Sequence, residues 1–131
     1  MSLAPGTTHE ITRTVTADQT ADALGNKGVM VFATPCVLAL IENACSAMLQ
    51  PELPAGGATV GTAVDMKHLG PTPLGMQVRA KATLVETDGR RFVFTVEVWD
   101  EKDKVAEATH ERFLVGDLAK FLARAMKKAE G

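Results

Sequence analysis

The chain has no excess of charge of either sign: 14 basic and 16 acidic residues among 131 leave a formal charge of −2. Without a basic stripe, nothing tracks a phosphate backbone, which argues against nucleic-acid binding. Long apolar runs are also missing. The run from Cys36 to Ile41 is far shorter than the ~20 residues a bilayer-spanning helix needs, so no membrane is expected. The N-terminus shows no charged segment followed by an apolar one, so no secretory signal is expected and the location read from it is cytoplasmic. Cysteine is scarce. Cys36 and Cys45 are nine residues apart on one helical segment, and at about 100° per residue they point to opposite sides and cannot pair with each other. Reduced, buried thiols fit this pattern. His9, His68 and His110 share no short ligand spacing with one another or with the cysteines, so no metal site is expected.

The composition is that of an ordinary globular domain, 46% apolar and 23% charged, and the length suits one domain over residues 1–131. Residues 7–16 alternate as a strand, with Ile11 and Val15 among β-branched threonines. Residues 18–28 hold two glycines and an asparagine and read as a mobile connection. Thr34 suits a helix N-cap and Pro35 the first helical position, because proline's missing N–H would be unpaired there anyway. Val37, Ile41, Ala44, Cys45 and Met48 repeat at helical spacing until Pro51. A helix apolar around most of its girth reads as buried.

Four strands follow, over residues 59–69, 76–87, 90–100 and 105–115, broken by proline and glycine or by Asp88-Gly89. In the first of them, Val60, Thr62, Val64, Met66 and His68 share one face and Asp65 and Lys67 the other. From Asp117, the spacing of Leu118, Phe121, Leu122, Ala125 and Met126 predicts an amphipathic helix with lysines in its last turns. The order β-α-β-β-β-β-α predicts a two-layer α+β domain, an antiparallel sheet wrapped around one long central helix. A free sheet edge invites a second copy, so a homodimer is expected.

Three groups stand out for chemistry. Thr34 is either a cap or a hydroxyl placed at a helix start, where the N–H groups of Cys36 and Val37 would be free to face an oxyanion. Glu42 is the lone acid of a helix that otherwise reads as buried, and such a carboxylate needs a partner, which His68 would supply. His68 sits on the apolar face at a strand end. Thr34 and Glu42 lie about 12 Å apart along a regular helix. They meet only if the chain curls before Pro35, if His68 or a water bridges them, or if a second subunit completes the set. Lys67, Arg79 and Lys81 are candidate phosphate-binding cations, or solvated strand residues.

The segments Val31-Phe32-Ala33-Thr34-Pro35, Leu40-Ile41-Glu42-Asn43-Ala44-Cys45, Gly61-Thr62 with His68, and Thr109-His110-Glu111-Arg112 resemble the fluoroacetyl-CoA thioesterase-like family of hot-dog acyl-CoA thioesterases. That resemblance implies a hot-dog fold and a catalytic set of Thr34, Glu42 and His68. It also implies that Gly61 contributes through its backbone and Arg112 as a supporting polar residue at the substrate. The substrate implied is a small acyl-CoA thioester, with coenzyme A part of the substrate and no cofactor or metal. The family's bulky apolar lid before the helix has no counterpart in Ala23-Leu24-Gly25-Asn26-Lys27-Gly28, so fluoroacetyl selectivity is not implied. The rival reading is a non-catalytic acyl-CoA binding module on the same fold.

Overall fold

The computed structural model describes residues 3–130; residues 1, 2 and 131 of the expected domain lie outside it. Strand β1 (Thr8–Thr14) precedes helix α1 (Thr34–Leu49). Strands β2 (Ala58–His68), β3 (Gln77–Thr87), β4 (Arg91–Trp99) and β5 (Lys104–Val115) follow, then helix α2 (Leu118–Lys127). The five strands form one antiparallel sheet in the order β1-β3-β4-β5-β2. This is the hot-dog arrangement, with α1 laid across the sheet.

Alternation on the central strands explains the packing. Val78, Ala80, Ala82 and Leu84 of β3, with Phe92, Phe94, Val96 and Val98 of β4, all turn inward and are buried. Burial of each larger side chain contributes about 1.5–3 kcal/mol. The alanines at the inner face let α1 approach closely through Val37, Leu40, Ile41, Ala44, Cys45, Met48 and Leu49. The thin outer sector of the helix stays exposed at Ala39 and Asn43.

Two expectations change. Residues 18–28 are not a loose connection but lie largely in a loop tied over residues 20–32. Ala21 N–H donates to Val31 O, Asp22 N–H to Val29 O and Asn26 N–H to Ala21 O, while Gly28 N–H donates to the Asp22 carboxylate. Gly25 and Gly28 take the positive-φ turns this loop requires. In β2, the register slips between Gly61 and Ala63, so Thr62 is an extra residue opposite β5. Such a bulge exchanges the faces of all residues before it. Val60 therefore pairs with exposed Phe113, and Gly61 rather than Thr62 joins Val64, Met66 and His68 on the helix side. Thr62 points away and donates to Glu111.

The β2 strand is one edge of the sheet. Helix α2 forms where expected, capped by Asp117 accepting from Lys120 N–H, yet its apolar stripe of Phe121, Leu122 and Met126 stays exposed. No helix among the described residues is long and apolar enough to cross a membrane.

Candidate active site

The candidate residues assemble in two clusters on α1 and the strands beneath it. At the helix start, Thr34 Oγ1 lies 2.8 Å from His68 Nδ1. Ala33, not Thr34, is the N-cap, and no side chain caps the helix. Shifting the start by one residue releases the Thr34 hydroxyl from the capping role and turns it toward the end of β2. The N–H groups of Cys36 and Val37 are not free either, since both donate to Ala33 O at 2.9 Å. Pro35 has no N–H to offer, and the Thr34 N–H has no acceptor among the described residues.

His68 is half-buried, and burial pushes its pKa below the ordinary histidine value, opposed in part by the Gly70 backbone. Its Nε2 is buried without a partner at hydrogen-bond geometry. A neutral imidazole with Nδ1 against a hydroxyl is suited to accept that hydroxyl's proton. The pair borders a cleft of about 320 Å³ lined by Ala21, Asn26, Val29, Val31, Leu69 and Pro71 among others. Its walls mix polar and apolar surface, and the tied loop forms one side.

The second cluster sits further along α1. Glu42 does not meet His68 within the chain, as its sequence position suggested. Its Oε2 lies 3.5 Å from Arg112 Nη1, with side-chain exposures of 39% for Glu42 and 7% for Arg112. Arg112 is thus on the core side of β5, not on a solvated sheet face, because the face it shares with Ala106, Ala108 and His110 is the one α1 covers. It also donates through Nε to Thr59 Oγ1 at 3.1 Å and through Nη2 to Thr59 O at 3.0 Å. Gly61 lies at the centre of this cluster. A Cβ there would come within 2.8 Å of Glu42 Oε2, 3.1 Å of His110 Cε1 and 3.3 Å of Arg112 Nη1. A bare backbone leaves these three side chains room to converge, and an added methyl would push the Glu42 carboxylate aside.

The remaining candidates do not join either cluster. Arg79 is engaged with Glu10 at 2.9 Å, and Lys81 is exposed on β3. Lys67 borders a hollow of about 380 Å³ with Asp65, Glu97, Lys104 and Glu107, where Lys104 already pairs with both glutamates. Cys45 is buried, and its thiol is pushed up to about 12, mainly by burial. Among the described residues no group of His, Cys, Asp or Glu side chains is placed to hold a metal ion. Sequence reasoning missed the roles of His110 and Thr59 beside Arg112. The two-residue spacing of His110 and Arg112 on a strand whose same face carries Ala106 and Ala108 was the available signal.

Residues 15–117 match the family described as fluoroacetyl-CoA-specific thioesterase, FlK. The chain belongs to this family. The fluoroacetyl-CoA thioesterase of Streptantibioticus cattleyicolor is 37% identical over 98 residues, covering 75% of this chain and 70% of that protein. A crystal structure of a variant of the fluoroacetyl-CoA-specific thioesterase FlK matches with a TM-score of 0.92 at 30% identity, covering 98% of both chains. A thioesterase-superfamily member from Thermus thermophilus matches with a TM-score of 0.87 at 26% identity, covering 98% of this chain and 97% of that one.

Proposed function

We propose that the protein hydrolyses a small acyl-CoA thioester to the free acid and coenzyme A, using Thr34, His68 and Glu42. Its family makes it a thioester hydrolase, and substituted variants of FlK have been crystallised with acetyl-CoA and with fluoroacetate and CoA. The observation that carries the residue assignment is the 2.8 Å contact between Thr34 Oγ1 and His68 Nδ1 in the lining of a cleft.

In this reading neutral His68 takes the Thr34 proton as the hydroxyl attacks the thioester carbonyl. Coenzyme A leaves as a thiolate, a good leaving group that needs little acid assistance, and an acyl-threonine remains. A water then cleaves that ester, with Glu42 accepting its proton and Thr34 regaining its own. Gly61 leaves backbone open beside Glu42, and Arg112 orients the carboxylate.

The two clusters are about 12 Å apart along α1, too far for one acyl carbon to meet both. A homodimer resolves this: Thr34 and His68 of one copy face the partner's Glu42 across the paired β2 edges. The free β2 edge, which ends at His68, and the part-exposed Glu42 carboxylate support such a pairing.

A thiol-release assay on acetyl-, propionyl- and aromatic acyl-CoAs tests the activity, and chain mixing tests the architecture. Thr34→Ala and Glu42→Gln chains, each strongly impaired alone, should regain about a quarter of wild-type activity when unfolded and refolded together, because half the dimers then carry one intact site. No regain would place all three residues in one chain. Absence of turnover, with tight acyl-CoA binding by calorimetry, would replace hydrolysis with the binding-module reading.

A further inference from the structure

The Glu42–Arg112 pair is held by a hydrogen-bond chain that ends in a residue with no role so far. His110 is 2% exposed and lies two residues before Arg112 on the inner face of β5. Its Nδ1 is 2.8 Å from Ala63 O. A carbonyl only accepts, so Nδ1 carries the ring proton. The other nitrogen, Nε2, lies 3.2 Å from Arg112 Nη1. A guanidinium only donates, so Nε2 is the acceptor and the ring is the neutral Nδ1–H tautomer.

The guanidinium is thereby fixed from two sides. Thr59 takes Nε–H on its hydroxyl and an Nη2–H on its carbonyl, and His110 takes an Nη1–H. What remains of the Nη1 edge points at Glu42 Oε2, 3.5 Å away. An acceptor other than a carboxylate matters here. A second acid beside Arg112 would compete with Glu42 for the guanidinium, whereas a neutral imidazole steers it without adding charge. The ring itself is immobilised by the Ala63 carbonyl and by stacking on Phe94, with centroids 6.3 Å apart.

Resting on the hydrolase reading above, we infer that His110 is a positioning residue. It acts through Arg112 to aim Glu42, serving as a hydrogen-bond acceptor in its neutral Nδ1–H form. Its Nε2 faces Arg112 rather than the cleft, so it does not touch substrate. The bulge in β2 is part of the device, because it delivers both the Ala63 carbonyl that sets the tautomer and the bare Gly61 that leaves the ring room.

The test uses full-length protein and two readouts. Nitrogen-15 NMR of wild type at neutral pH should show His110 protonated on Nδ1 and bare on Nε2. In thiol-release kinetics, His110→Leu should lower kcat about 10- to 100-fold with little change in KM, the scale expected when a reacting group is misplaced by about 1 Å. His110→Gln, which restores an acceptor, should recover most of that loss. In a Glu42→Gln background, His110→Leu should cost nothing further, because the group it aims is already gone. A merely structural histidine would lower activity equally in both backgrounds, and that result would overturn the inference. So would a ring protonated on Nε2. Wild type that releases no thiol would instead overturn the hydrolase reading, and with it any catalytic role for His110; the nitrogen spectrum would still judge the hydrogen-bond chain by itself.

Discussion

The two ends of the α1 site solve opposite problems. At the helix start, Thr34 is exposed and His68 half-buried, the contact between them is uncharged, and one ring nitrogen is left without a partner. Eight residues on, the Arg112 cation is buried and held by Thr59, His110 and Glu42. The first cluster contributes little to stability and is poised to move a proton. The second must be satisfied for the core to form at all, because a buried cation without partners would cost several kcal/mol. Substitutions in the first should therefore reduce rate without unfolding, and removal of Arg112 from the second should lower both rate and stability.

The largest effect is expected at the helix start. His68→Ala should lower kcat by about 10³-fold, within the range for a lost general base, while moving the stability measured in urea by less than about 1 kcal/mol. Thr34→Ala should behave alike and cost under about 0.5 kcal/mol of stability, against the ~1 kcal/mol a true cap would lose. A rate near wild type for either variant would remove the first cluster from the mechanism.

Next comes Arg112→Leu, expected to lower stability by about 2–3 kcal/mol in urea unfolding. Most of that would come from stranding the Thr59 and His110 acceptors, since Glu42 is exposed enough to be solvated. A loss below about 0.5 kcal/mol would erase the contrast between the clusters. Gly61→Ala is smaller in stability and sharper in diagnosis. The new methyl presses on the flexible end of Glu42, so kcat should fall about tenfold while stability changes by about 1 kcal/mol or less.

The mildest expectation concerns pH. Burial lowers the pKa of both His68 and His110 below the ordinary 6.5. Between 6.5 and the lowered folded values, the unfolded chain binds protons the folded one refuses, so stability rises with pH across that window, falls as pH drops through it, and levels off below the folded values. Thermal midpoints should thus decline from pH 7.5 to pH 5.5, less steeply in His110→Leu. The acid limb of kcat/KM should also lie below pH 6.5, where protonated His68 can no longer serve as a base. A limb above that value would mean His68 is not the group titrating.

Much of this was legible in the residues themselves. The spacing of Val37, Ile41, Ala44 and Cys45 specified a long helix with an apolar side, and the runs around Phe92–Val98 specified an antiparallel sheet, because apolar periodicity is local. Thr34 and His68 were readable as partners only with the help of family resemblance. The environment of Glu42 was misread. Periodicity shows that a face is apolar, but not which cation from a distant strand will lie against the one acid on it.

Alternation along β2 also misled, placing Val60 and Thr62 with His68, and its failure is instructive. A bulge is decided by pairing with β5, some fifty residues later in the chain, and one extra residue reverses every side chain before it. The chain by itself determined the order of elements, the apolar stripe of α1 and the residue types available for chemistry, all set by near neighbours. The tertiary structure alone decided that Gly61 faces Glu42, that Arg112 is inside, and that His110 keeps its proton on Nδ1. Each of these depends on which backbone and side-chain groups from remote strands arrive within hydrogen-bond reach.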